Sequence, residues 1–260
     1  MSSVKVLYWR DDPAATNIAN NLREIGLGNL LVQSPKSLLF TTQKELEKMF
    51  QEVNDTDYLI VASTHRSETK KPALTVHSTG NFGSADLGGA PNALSYTWPA
   101  ALKIGLQYFS QNAPEGFDIT MEATHHGPTN WEKPLIFIEI GSTEKEWSRK
   151  DLGEIVARAI KEIYEKAPSA KFEKYAAFGG THYCASFNRI QIENEKAAIG
   201  HVAARYASEF LNENTVRQAV EKNFAKKAVI DWKGIKSDAR NKVLSVLEKL
   251  NVPYLTTSDL

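Results

Sequence analysis

Glu122, His125 and His126 stand together in "EATHHGPT" (122–129), a carboxylate and two imidazoles directly before a Gly-Pro turn. That spacing suits either a metal or acid/base site or the polar end of a strand. The chain has six histidines, and those at 65, 77, 125, 126 and 182 share one local setting. An apolar or alternating run ends, and His appears beside Gly, Asn, Ser or Thr. Neutral imidazoles with a carboxylate can hold zinc, which lowers the pKa of bound water to about 7 and polarises a carbonyl. Without metal, a His–Glu pair can act as a general base. The glycines of "GNFG" (80–83) and "GG" (179–180) let backbone N–H groups approach an oxyanion or a phosphate. A lone strand-end histidine is more often a structural residue, so the weight rests on the repeated setting rather than on any one position.

The elements that must position these residues alternate between strand and helix, which predicts an α/β fold. "VKVLYW" (4–9) reads as a buried strand, and Asp12-Pro13 as a cap and first turn opening a helix to about Ile25. "NLLVQ" is a short strand, "TQKELEKMFQEV" an amphipathic helix, and "DYLIVAST" (57–64) an apolar strand ending at His65. "ALTVHS" runs extended into the glycine-rich "TGNFGSADLGGAPN", which is too long for an ordinary connection. "WPAALKIGLQYFSQ" is a helix with Pro99 in its first turn. "FDITMEATHH" alternates, so as a strand it places Glu122, Thr124 and His126 on one side. "PLIFIEIGS" (134–142) reads as a central strand covered on both faces, with Glu139 its one charge. Glu139 can serve the site or simply pair with a buried base. Thr143 with Glu146, or Ser148 with Asp151, can form a capping box for the next helix. "KYAAFGGTHY" is a strand running into Gly179-Gly180 and His182. The remainder, about 190–250, reads as mainly helical, with His201 a packing residue on a helix, and the chain ends in an extended "PYLTT". No internal repeat or clean linker divides the chain, so 1–260 reads as one domain. Ligands of open α/β sheets bind at strand ends, so the histidines are expected to converge on one edge of the sheet.

Composition narrows the function. The 260 residues are 42% hydrophobic, enough for a full core, and 31 basic residues balance 31 acidic ones. Zero net charge lacks the global footprint of a protein that grips nucleic acid through phosphates, so any such contact must be local. Lys222, Lys226, Lys227, Lys233, Lys236, Arg240 and Lys242 form a candidate patch, although a charge run is commonly just a solvated helix face. Cys184 is the single cysteine, which rules out an intrachain disulfide and a thiolate zinc site, and it reads as structural. The N-terminus offers no signal-peptide stretch and the chain no apolar span of about 20 residues, so a cytoplasmic protein without membrane association is expected. No GxSxG, P-loop, HExxH or strand-borne GxGxxG is present.

Taken together, "ASTHRS" (62–67), "HSTGNFG" (77–83), "EATHHGPT", "FIEIGSTEKEW" (137–147), "GGTHY" (179–183) and "IGHV" (199–202) resemble, in order, the archaeal and plant type of D-aminoacyl-tRNA deacylase. Each segment alone is weak, but the combination is specific. The resemblance implies a zinc-associated esterase acting on tRNA charged with a D-amino acid. It also implies a three-layer phosphorylase/hydrolase-like α/β fold with a mixed central sheet and a helical C-terminal part. A monomer without an obligatory protein partner is expected. On this reading Glu122 and His126 lie near the attacking water, His77, His125 and His182 hold zinc, and His65 and Glu139 stand in or beside that group. Asn81, with the backbones of Gly80, Phe82, Gly83, Gly179 and Gly180, would bind the oxyanion or terminal ribose, and Lys226, Lys227 and Lys233 the tRNA phosphates. Two alternatives stand beside it: a metal-dependent amidase or peptidase of small molecules, and a non-catalytic nucleotide- or RNA-binding protein.

Overall fold

The apolar run Val4–Trp9 forms β1, and Asp12 opens α1 (Pro13–Glu24) as its sequence predicts. The Asp12 carboxylate accepts from the Ala15 N–H, and Pro13 fills the first helical position. The chain continues through β2 (Leu31–Ser34), α2 (Gln43–Met49), α3 (Gln51–Asn54), β3 (Tyr58–Thr64), β4 (Ala73–Asn81) and β5 (Ala93–Leu94). Next come α4 (Pro99–Asn112), β6 (Asp118–His125), β7 (Leu135–Gly141), α5 (Glu144–Trp147) and α6 (Lys150–Lys166). A second set follows: β8 (Glu173–Phe178), α7 (Ala185–Glu193), β9 (Ala197–Ala203), α8 (Glu213–Glu221), β10 (Lys227–Ile230), α9 (Ser237–Lys249) and β11 (Tyr254–Thr256). This computed structural model describes residues 2–260. None of the described helices is long and apolar enough to cross a membrane.

Two sheets result. In the first, β2, β1, β3 and β7 are parallel, β4 is antiparallel to β7, and β6 runs parallel to β4 on its other side, so the sheet is mixed. The second, β11-β10-β8-β9, is parallel throughout. Their edges meet at β6 and β9, where the Val202 N–H donates to Thr124 Oγ1 at 3.0 Å.

Period-two alternation divides the first sheet's side chains between two cores. Val6, Ile60, Ile136 and Ile138 pack with Ile18 of α1, Leu106 of α4 and Ile160 of α6. Leu7, Leu59, Leu135 and Phe137 face the other way, onto Leu38, Leu46 and Trp131. A fully buried side chain of this kind contributes about 1.5–3 kcal/mol, so both faces resist rotation of β7. Glu139 follows Leu135 and Phe137 on the second face. The register places Phe137 opposite His77, Glu139 opposite Thr75, and His77 beside Glu122. One face of β7-β4-β6 therefore carries the chemistry.

Several expectations need correction. The segment around His201 is not helical: Ala197–Ala203 is β9, buried on both faces. Small apolar residues fit a buried strand as readily as a helix, and Gly200 decides for close approach, since a Cβ there would lie 1.7 Å from Asn223 Oδ1. The 190–250 stretch holds α8 and α9 as expected, but also β9 and β10. The predicted helix over 42–53 breaks at Phe50 into α2 and α3. Of the two possible capping boxes, Thr143 with Glu146 forms and opens α5; α6 starts from Arg149 without a side-chain cap.

Candidate active site

The histidines converge, but on a sheet face rather than at a sheet edge. Reversal of β4 and β6 relative to β7 is the reason: strand-end residues from β3 and β6 meet mid-strand residues of β4 and β7. His65 follows β3 and is buried, with Nδ1 3.1 Å from Glu122 Oε1 and 3.6 Å from Glu139 Oε2. The Trp147 indole N–H donates to the His65 carbonyl at 3.1 Å, and the bare Cα of Gly141 lets the ring pack in, since a Cβ there would lie 2.5 Å from His65 Cδ2. Glu122 Oε2 accepts from His182 Nε2 at 2.8 Å. His182 arrives from the β8–α7 connection of the second sheet, and its Nδ1 faces the Tyr206 hydroxyl at 3.3 Å. Glu139 accepts from the Thr75 hydroxyl at 3.3 Å and lies 3.6 Å from His77 Nε2.

His77, His125 and His126 form a second group beside these carboxylates. A bulge in β4 between His77 and Thr79 shifts the pairing, and His126 takes a left-handed backbone (φ 44°) just past β6. Both histidines after Thr124 thereby reach His77, with ring centroids 4.3 and 4.8 Å away. The three Nδ1 atoms face backbone carbonyls of Ser78 at 3.2 Å, Ala123 at 2.8 Å and Gly127 at 2.6 Å. This arrangement fixes each Nδ1 as the donor, the pattern of metal-ligating imidazoles held by outer hydrogen bonds, while the Nε2 atoms of His77 and His125 face Glu139 at 3.6 Å and Glu122 at 3.8 Å. Their ligand atoms lie within 4.8 Å of one another. His77 Nε2 is buried without a hydrogen-bond partner among the described residues. The trio therefore fits a divalent cation. Glu122, His125 and His182 form another such group, and His65, Glu122 and Glu139 a third.

The electrostatics separate these residues. Burial disfavours charge on His65, but the Glu122 and Glu139 carboxylates outweigh it and raise the imidazole to about 10. Burial also opposes charge on the two glutamates. Hydrogen bonds from His182 and His65 nevertheless hold Glu122 well below the usual carboxylate range, and His65 and His77 bring Glu139 down to about 2. Burial and the neighbouring His77 keep His125 neutral and lower His126 to about 4. His77 moves the other way: burial opposes its charge, yet Glu139 raises it. A cation at the trio has to displace that proton, as is general for imidazole ligands.

The remaining predicted residues divide. Asn81, Gly80, Phe82 and Gly83 line a chamber of about 260 Å³ together with His125 and His126. Asn81 Nδ2 is committed to the carbonyls of Gly88 at 2.9 Å and Ala90 at 3.2 Å, so it pins the glycine-rich loop. Gly80, Gly179 and Gly180 donate their N–H groups to His126, Ala203 and Gly234, respectively, and are not free as oxyanion donors. Gly179 and Gly180 have positive φ (107° and 76°) and turn the chain toward His182.

The lysine run does not form one patch. Lys226 precedes β10, Lys227 is its first residue and Lys233 follows it, and Lys227 pairs with Glu173 at 2.8 Å. Lys222 donates to the Leu94 carbonyl at 2.6 Å. Lys233 lies in the 231–234 loop that packs on Gly179 and Gly180, the side from which His182 enters. Cys184 is buried and its thiol is pushed upward by burial, in keeping with a structural role. His201 packs in the core, as expected, though on a strand. Tyr206, Phe210 and Thr75 were not singled out by sequence. "RYASEF" carries no chemical signature, and its place beside His182 and the chamber depends on a turn that only the fold reveals.

The chain matches the profile described as D-aminoacyl-tRNA deacylase over residues 52–255. It is 36% identical to a D-aminoacyl-tRNA deacylase of Methanosarcina mazei, covering 100% of this chain and 94% of the relative. It is 38% identical to one of Ignicoccus hospitalis, covering 97% and 98% respectively. A crystal structure described as a conserved protein of unknown function superposes with a TM-score of 0.90 at 28% identity, covering 99% of this chain and 96% of that one. These relatives do not favour the small-molecule hydrolase or the non-catalytic alternative. With a buried Glu/His cluster on a mixed α/β scaffold and likeness along nearly its whole length, the chain belongs to the D-aminoacyl-tRNA deacylase family.

Proposed function

We propose that the protein hydrolyses the ester joining a D-amino acid to the terminal ribose of tRNA, releasing free amino acid and reusable tRNA. The observation that carries a hydrolytic role is the Glu122–His182 pair at 2.8 Å, beside three imidazoles whose ligand atoms lie within 4.8 Å of one another. His182 Nε2 is occupied by Glu122, so its lone pair sits on Nδ1, toward Tyr206 and solvent. His182 is thereby the general base that takes a proton from the attacking water. Glu122, held well below the usual carboxylate range, is a poor proton acceptor and instead orients and stabilises the charged imidazole. His77, His125 and His126 would hold a zinc ion, which when bound would supply Lewis acidity toward the ester carbonyl. His65 and Glu139 keep Glu122 and His77 in place. Lys233 contacts tRNA phosphate on the His182 side.

An aminoacyl ester is already labile, so a positioned base worth 10²–10⁴ and one electrophile can suffice. The test is hydrolysis of D-tyrosyl-tRNA and L-tyrosyl-tRNA side by side, with and without a chelator. The expected result is loss of the D-ester alone, abolished by chelation and restored by zinc. Equal turnover of the L-ester refutes chiral specificity, and full activity after verified removal of metal refutes the zinc role.

A further inference from the structure

Two chambers reach the Glu/His cluster from opposite ends of β4 and β6. The first, of about 260 Å³, lies at the strands' C-terminal ends, by Gly80, Asn81 and His125. Its other walls are Phe82, Tyr206 and Phe210, the last two exposed. The Phe210 ring lies flat on Gly83, where a Cβ would come within 2.6 Å of it. The second chamber, of about 200 Å³, lies at the starts of the same strands, by Ala73 and Asp118. Its walls carry more polar groups than those of the first, including Ser67, Thr120 and Asn188, and His65 lines it. His65 Nε2 is buried with no hydrogen-bond partner among the described residues. Ala73 and Gly80 are seven residues apart on β4, about 23 Å at strand rise. Glu122 and His77 are paired between these ends.

The substrate of the proposed reaction also has two unlike ends joined by the reacting ester. A terminal adenine is flat, has apolar faces and stacks on aromatic rings. It also needs an opening through which the rest of the RNA leaves, as at exposed Tyr206 and Phe210. The aminoacyl end carries an ammonium group beside a carbonyl and needs hydrogen-bonding walls. The second chamber offers the hydroxyl-bearing residues, the unpartnered His65 nitrogen and the Asp118 carboxylate, whose Oδ1 also pairs with the Lys71 ammonium at 2.6 Å. Resting on the deacylase reading, we propose that the aromatic chamber seats the terminal adenosine and the polar chamber seats the aminoacyl group. The walls of the polar chamber, rather than the zinc-side histidines, then set which D-amino acids are accepted.

Two exposed wall positions separate the chambers: Ala185 in the polar one and Ser84 in the aromatic one. Ala185→Leu narrows the polar chamber and should lower the kcat/KM ratio of D-tyrosyl-tRNA over D-alanyl-tRNA on the order of tenfold. Ser84→Leu should lower both substrates by a common factor and weaken binding of adenosine 5′-monophosphate, followed by NMR. The proposal is overturned if Ser84→Leu changes the D-Tyr:D-Ala ratio, or if folded Ala185→Leu leaves it unchanged. Titration of the wild-type protein with adenosine 5′-monophosphate adds a check independent of the variants. Shifts at Phe82 and Phe210 are expected, and shifts confined to His65, Thr120 and Asn188 reverse the assignment. Failure of the wild type to hydrolyse any D-aminoacyl-tRNA would count against the deacylase reading instead, while the nucleotide titration would still report which chamber takes adenosine.

Discussion

His201 should make this protein acid-sensitive in a way that one substitution removes. Its imidazole is fully buried where the two sheets meet, with Nε2 donating to the Ser95 carbonyl at 2.9 Å and Nδ1 3.1 Å from Thr124 Oγ1. Burial lowers it from an ordinary 6.5 to about 4. A base whose folded value is depressed stabilises the fold fully above its unfolded value. That contribution is lost as pH falls from 6.5 through about 4. The linkage corresponds to about 2 kcal/mol at pH 5 and about 3.4 kcal/mol at the acid limit. His201→Gln retains a donor for Ser95 but cannot titrate. It should cost about 1 kcal/mol at pH 7.5, where the Thr124 contact is lost. The variant should then lose less stability than the wild type on acidification, with the two curves crossing between pH 6 and 5. Urea unfolding of metal-stripped protein at half-unit steps from pH 7.5 to 4.5 measures this directly, and the difference between the two proteins cancels the other histidines. Parallel curves, or an NMR titration of His201 with a midpoint near 6.5, would refute the reasoning.

Other outcomes follow from the same geometry. Glu122→Gln should reduce kcat for the D-ester by at least about a hundredfold, because His182 loses its charged partner; turnover within threefold of wild type in single-turnover assays would remove Glu122 from the mechanism. His77→Gln and His126→Gln should each abolish stoichiometric zinc measured by elemental analysis, whereas His182→Gln should retain zinc and lose turnover. The converse pattern would place the metal at the Glu122–His125–His182 group instead. Gly141→Ala should destabilise the protein by about 1–3 kcal/mol in denaturant unfolding, since its Cβ would lie 2.5 Å from His65 Cδ2. A cost under about 0.5 kcal/mol would show that His65 can yield. Lys233→Ala should raise KM for charged tRNA more than Lys227→Ala, whose side chain is held by Glu173; equal effects would count against the tRNA contact on the His182 side.

How much of this was legible beforehand depends on the range of the physics involved. β7 was readable because both its neighbours bury it, so its apolar run needs no partner information, and Glu139 stood out against that run. The Asp12 cap was readable because its hydrogen bond closes within three residues. The face on which the histidines meet was not. It depends on β4 and β6 both running against β7 and on a bulge after His77, neither of which leaves a mark in the local pattern. The strand alternation that placed His126 beside Glu122 failed at the same point, because the positive φ of His126 ends the period of two. The glycines misled for a related reason. Their freedom to turn is legible in the sequence, but whether an N–H stays free depends on distant carbonyls, and those of Ala203 and Gly234 take Gly179 and Gly180. The same distance dependence separates Glu122 from an ordinary surface glutamate. Its neighbours in sequence are apolar or weakly polar, and His65 and His182, which fix its charge, come from the first and second sheets respectively. Loosening the β6–β9 junction should therefore disturb the Glu122–His182 distance before it disturbs either sheet, and activity should fall at denaturant concentrations that leave the hydrophobic cores intact.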